Sequence, residues 1–124
     1  MKIRGTDFVM FSVTDMPKAV RFYRETLGLT QELDSEGFAE FNCGNVTLSL
    51  LKDPDAGQAI GQIALAVDDV QAAYVELKGK GARIDGEPVD YGCCQAVKVL
   101  DPDGNLVILH RRADGTFGQE SQDG

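Results

Sequence analysis

The sequence predicts an α+β fold made of two βαβββ modules, and three observations carry that reading. Residues 8–29 read as a strand, a capped turn and an amphipathic helix; the pattern returns from Gln62; and each half continues with strand-like segments around Gly-containing turns. Neither copy could hide its sheet alone. The two copies are therefore expected to form one curved, partly open, barrel-like sheet with the helices on its convex side.

The first strand, residues 8–13, splits by alternation into two faces, Phe8, Met10 and Ser12 against Val9, Phe11 and Val13. Asp15 can accept hydrogen bonds from the free N–H groups of a helix start, and Pro17 suits the first turn, where its missing donor costs nothing. Apolar residues at Met16, Ala19, Val20, Tyr23 and Leu27 form a helical stripe, and Gly28 is placed to end the helix in a left-handed conformation. A short strand is expected around residues 30–33. Two more are expected on either side of a turn at Cys43, Gly44 and Asn45.

Shifting the first strand and helix by 54 positions lays Phe8 on Gln62, Val13 on Val67, Asp15 on Asp69 and Ala19 on Ala73. Val70, Tyr74 and Leu77 repeat the helical stripe, with Gly79 and Gly81 as stop signals. A short strand is expected around residues 82–84. Two longer ones flank Asp101-Pro102-Asp103-Gly104-Asn105, where Pro second and Gly fourth fit a type I turn. Matching Gly44-Asn45 to Gly104-Asn105, a shift of 60, places Leu48 over Ile108. Residues 53–58 are polar and turn-rich, the natural linker between module one (about 6–52) and module two (about 59–112). Residues 113–124 read as a flexible tail after a single domain spanning 1–112.

A chain of 124 residues can bury a core of ordinary size. Twenty acidic against twelve basic groups give a net charge of −8, which repels nucleic acids and anionic membranes and attracts cations. No apolar run approaches a membrane span and the N-terminus lacks a secretory h-region, so a cytoplasmic protein is expected, without nucleic-acid or membrane partners. Cys43, Cys93 and Cys94 lack zinc-type spacing and are read as free thiols. There is no phosphate loop, and one histidine supports no nucleophilic triad.

Two motifs, Val13-x-Asp15 followed by Ala19-x-x-Phe22-Tyr23-x-x-x-Leu27-Gly28-Leu29, and Asp101-Pro102-Asp103-Gly104-Asn105 before a terminal strand, resemble the vicinal oxygen chelate superfamily, which includes glyoxalase I, extradiol dioxygenases and the bleomycin and fosfomycin resistance proteins. The resemblance covers about residues 6–112. It implies a sheet rolled into a cleft, a homodimer and, in metal-dependent members, ligands from four strand positions that map here to Phe8, Leu48, Gln62 and Ile108. Three of these carry no donor atom and Gln62 offers one neutral oxygen, whereas a divalent ion needs three or four donors. Neither a metal nor another cofactor is expected.

The same register lines the cleft with Phe8, Met10, Ser12, Leu48, Leu50, Gln62, Ala64, Ala66, Ile108 and His110. They are joined by either Phe38, Glu40 and Asn42 or Ala39, Phe41 and Cys43. An apolar lining with a few polar groups is how small-molecule sites are built. The expected function is metal-free binding of a small, partly apolar ligand, with aromatic and cationic ligands both in view. The alternative is a lyase, isomerase or dioxygenase with a displaced site around His110 and Gln62, His110 being the candidate acid or base.

Overall fold

The computed structural model describes residues 2, 4, 6–55 and 61–119. It divides into two compact units at Gly61/Gln62, and each is a helix packed on one side of its own sheet.

In module one the order is β1 (Phe8–Val13), α1 (Met16–Arg21) continued by a π-helical turn (Phe22–Thr26), β2 (Thr30–Asp34), β3 (Phe38–Asn42) and β4 (Thr47–Lys52). The sheet runs β1-β4-β3-β2, with β1 parallel to β4 and the other pairs antiparallel. The helix start is the one the sequence indicates: Asp15 accepts from Lys18 N at 3.1 Å, with Pro17 in the first turn. Its end differs from a uniform α-helix. Leu27 N donates to Phe22 O at 2.9 Å, one residue further back than an α-helical bond reaches. The wider turn brings both Phe22 and Tyr23 into the core, edge to face at 4.9 Å, and Tyr23 reaches Phe41 at 5.8 Å. Gly28, at φ +75°, then reverses the chain.

Under α1 lie Phe11, Val13, Ala39, Phe41, Leu48 and Leu50, all buried. Gly61 passes so close to this layer that a Cβ there would collide with the Phe11 ring, which explains glycine at that position.

Module two comprises β5 (Gln62–Ala66), α2 (Val70–Gly79), β6 (Arg83–Ile84), β7 (Val89–Asp90), β8 (Cys94–Leu100) and β9 (Leu106–Arg112). Its sheet runs β5-β9-β8-β6, β5 is parallel to β9, and β7 pairs with the start of β8. Asp69 caps α2 by accepting from Ala72 N at 2.9 Å, and Gly81 reverses the chain at φ +71°. Val70, Leu77, Val97, Val99, Val107 and Leu109 form the core beneath the helix. The turn 101–105 closes as the Pro and Gly positions require, Gly104 N donating to Asp101 O at 3.0 Å. The buried Asp101 carboxylate also takes Asn105 N at 2.8 Å and Asn105 Nδ2 at 2.9 Å.

Two features escape sequence pattern. The two-residue strand β7 makes module two one strand longer than βαβββ, because Gly86 and Pro88 hide so short a pairing. Residues 113–119 begin with hydrogen-bonded turns: Arg112 Nη1 donates to Thr116 Oγ1 at 3.2 Å and Arg112 Nη2 to Gly118 O at 3.0 Å. Residues 56–58 of the expected linker and 120–124 of the expected tail lie outside the described residues.

Candidate functional site

Each sheet has one face under its helix and one that the helix leaves open. Strand register decides which side chains reach the open face, since cross-strand partners share a side. In module one Phe8 pairs with Thr47, Met10 with Ser49 and Ser12 with Leu51. Across the next ladder Thr47 pairs with Asn42, Ser49 with Glu40 and Leu51 with Phe38. The open face therefore carries Phe8, Met10, Ser12, Thr47, Ser49, Leu51, Phe38, Glu40 and Asn42. Between the two alternatives for β3, the register selects Phe38, Glu40 and Asn42.

Leu48 and Leu50 are corrected by the same register. They pair with Val9 and Phe11, point under α1 and are 0% exposed, so they belong to the core. The cause is a loop-length difference. The turn 43–46 between β3 and β4 has one residue fewer than the turn 101–105 between β8 and β9. The β4-to-β9 offset is thus 59, as Thr47 and Leu106, the partners of Phe8 and Gln62, show. The module-one counterpart of Ile108 is Ser49, and a one-residue slip turns every side chain to the other side.

In module two the register brings the expected residues together. Gln62 pairs with Leu106, Ala64 with Ile108 and Ala66 with His110, so Gln62, Ala64, Ala66, Ile108 and His110 share the open face. Lys98 and Ala96 join them from β8, opposite Ile108 and His110. The His110 imidazole has no hydrogen-bond partner among the described residues, while its carbonyl accepts from Val67 N at 3.0 Å.

Module one's open face is apolar around a polar centre. Phe8, Met10, Leu33 and Leu51 are 51%, 47%, 41% and 38% exposed, unusual for such side chains within one sheet. At the centre the fully buried Ser49 donates its hydroxyl to Glu40 Oε2 at 3.4 Å. A bulge between Gln31 and Leu33 lets Glu32 accept from Asn42 Nδ2 at 3.0 Å. Beyond that end of the sheet lies a recess of about 330 Å³ lined by Thr6, Asp7, Glu32, Asn42 and Thr47 among others. Ser49, Leu51, Leu33 and Thr47 were missed by sequence reasoning. The signal was present in the β4 segment, where Leu48 and Leu50 alternate with Ser49 and Leu51, but alternation alone does not say which set faces the helix.

The donor set does not fit a divalent ion. Phe8 and Ser49 in module one correspond by register to Gln62 and Ile108 in module two. The module-one pair offers one hydroxyl and the module-two pair one amide, each without a carboxylate or imidazole, where such an ion wants three or four strong donors.

The three cysteines are free, and Cys94, two residues before Ala96 on β8 and opposite Arg112, shares module two's open face. Burial pushes the Cys43 thiol up despite a backbone hydrogen bond from Leu48 that acts the other way. Cys93 and Cys94 approach to 3.8 Å between sulfurs; desolvation first, then the Cys93 thiol and the Asp90 charge, raises Cys94.

Comparison with known proteins gives a consistent set of relatives. A model of the Glyoxalase/Bleomycin resistance protein/Dioxygenase superfamily matches residues 5–109. A protein of Vibrio parahaemolyticus serotype O3:K6 (strain RIMD 2210633) named "Probable lactoylglutathione lyase" is 30% identical, over 90% of this chain and 93% of its own. The Metallothiol transferase FosB of Staphylococcus epidermidis is 27% identical, over 87% of this chain and 84% of its own. The crystal structure of TnmS3, an antibiotic binding protein from Streptomyces sp. CB03234, superposes with a TM-score of 0.79 at 27% identity, covering 91% of this chain and 99% of that one.

Proposed function

The chain belongs to the Glyoxalase/Bleomycin resistance protein/Dioxygenase superfamily, and on that premise we propose that it is a metal-free small-molecule-binding protein. Its ligand is partly apolar, with an aromatic or cationic part, and lies on the open sheet faces. Phe8, Met10, Ser12 and Phe38 are the contact residues of module one; Gln62, Ala64, Ile108 and His110 are those of module two. The observation that carries this reading is a module-one sheet face that exposes four large apolar side chains, with no strong metal donor at Phe8 and Ser49 or at their module-two counterparts Gln62 and Ile108. The likeness to an antibiotic binding protein supports it. The protein acts as a homodimer in the cytoplasm, the second copy covering sheet edges that would otherwise invite pairing. The test is calorimetric titration of chelator-treated protein with zinc, nickel and manganese. Only weak, non-stoichiometric binding is expected, and a tight one-to-one site would overturn the metal-free reading.

A second reading is a lyase, isomerase or dioxygenase-type enzyme, favoured by the relative named as a lactoylglutathione lyase and by the His110 imidazole, without a hydrogen-bond partner among the described residues, on the strand paired with that of Gln62. His110 would serve as general acid or base. Turnover of lactoylglutathione that His110→Ala abolishes would establish it; turnover unaffected by that change would dismiss the site.

A further inference from the structure

Across module one's open face, Met10, Ser49, Glu40 and Leu33 form one row over four strands. Leu51 and Phe38 stand in the next row beside Ser49 and Glu40. The patch is about 14 Å wide at the usual strand spacing, the scale of a small organic molecule. Its apolar members are accompanied by a single central carboxylate.

That carboxylate is poorly answered by the protein. Glu40 is partly buried, and the hydrogen bond it accepts from Ser49 is long at 3.4 Å. No lysine, arginine or histidine forms an ion pair with it among the described residues. Ser49, itself buried, reaches only one carboxylate oxygen, and the other has no hydrogen bond among the described residues. Asp7 and Glu32 in the adjoining recess add negative potential, as does the net charge of −8. An anionic ligand would be repelled here. A neutral apolar ligand would cover Glu40 and strip its water without replacing it, which is costly.

We infer that Glu40, oriented by Ser49, binds the protonated nitrogen of an amphiphilic organic amine whose apolar body lies over Met10, Leu33, Phe38 and Leu51. This rests on module one's open face being the ligand surface, and it adds the charge and the residue that selects for it. The body contributes hydrophobic contact common to many molecules; Glu40 separates amines from their neutral counterparts.

A matched pair of probes tests it: 1-naphthylmethylamine and 1-naphthalenemethanol, titrated into the full chain near neutral pH and followed by calorimetry. The amine is expected to bind about tenfold or more tightly than the alcohol, the range of a hydrogen bond to a charged group. Glu40→Gln is expected to erase that preference, while Met10→Ala weakens both probes and keeps their ratio. Equal binding of the two probes by the wild-type chain, which needs no variant, overturns the inference and leaves the binding reading standing. A preference that survives Glu40→Gln also overturns it. Binding of neither probe overturns the inference and counts against the open face as a ligand surface altogether.

Discussion

Leu48 and Leu51 lie three residues apart on β4, point to opposite faces, and give the register a numerical test. Leu48 is wholly enclosed under α1, so truncation to alanine removes about three carbon groups' worth of transfer free energy, roughly 2.4 kcal/mol. The cavity left among Phe41, Val9 and the helix raises the loss to about 3–4 kcal/mol. For a chain of 124 residues, with the usual unfolding entropy per residue, that lowers the melting midpoint by about 12–15 °C. Leu51, 38% exposed on the open face, should lose only about 1 kcal/mol on truncation, or about 4 °C. Thermal unfolding by circular dichroism, at one protein concentration for parent and both variants, reads the difference directly. Equal losses, or a larger loss for Leu51→Ala, would refute the register and return Leu48 to the ligand face.

Other perturbations probe separate parts of the structure. Gly61→Ala forces a methyl group into the Phe11 ring and should cost about 1–3 kcal/mol in urea unfolding; a neutral result would show that the two do not touch. Asp69→Ala removes the acceptor for Ala72 N and should cost about 1 kcal/mol, with Asp69→Asn largely restoring it; an Ala variant as stable as the parent would remove the cap from the account. Alkylation by iodoacetamide at about pH 8.5, where an ordinary thiol is half ionised, should label exposed Cys93 first and Cys43 last. Burial keeps Cys43 protonated to higher pH, so its labelling should catch up only as the pH rises; peptide mass spectrometry showing Cys43 modified first would contradict this.

Local chemistry was legible in the sequence wherever it acted at short range. Asp15 and Asp69 cap their helices, Gly28 and Gly81 reverse the chain behind them, and Asp101 to Asn105 form the expected turn. The repeat was legible because the same apolar stripe needs the same partner sheet twice. What the pattern could not supply was register across β4. The turns 43–46 and 101–105 share a Gly-Asn pair but differ by one residue, and aligning the pair rather than the strands moved the whole segment by one. That slip put Leu48 and Leu50 on the open face and hid Ser49, the partner of Glu40. The width of the turn at Phe22–Thr26 was illegible for a different reason: a π-helical bond satisfies the same apolar spacing almost as well, and packing of Phe22 and Tyr23 decides between them.

The central claim, that a small molecule is held on module one's open face without a metal, is tested most directly by an NMR titration of chelator-treated, ¹⁵N-labelled protein with 1-naphthylmethylamine. Saturable shifts at the amides of Met10, Glu40, Ser49 and Leu51 are the expected result. Shifts confined to the helices, or appearing only after a divalent metal is added, would contradict it.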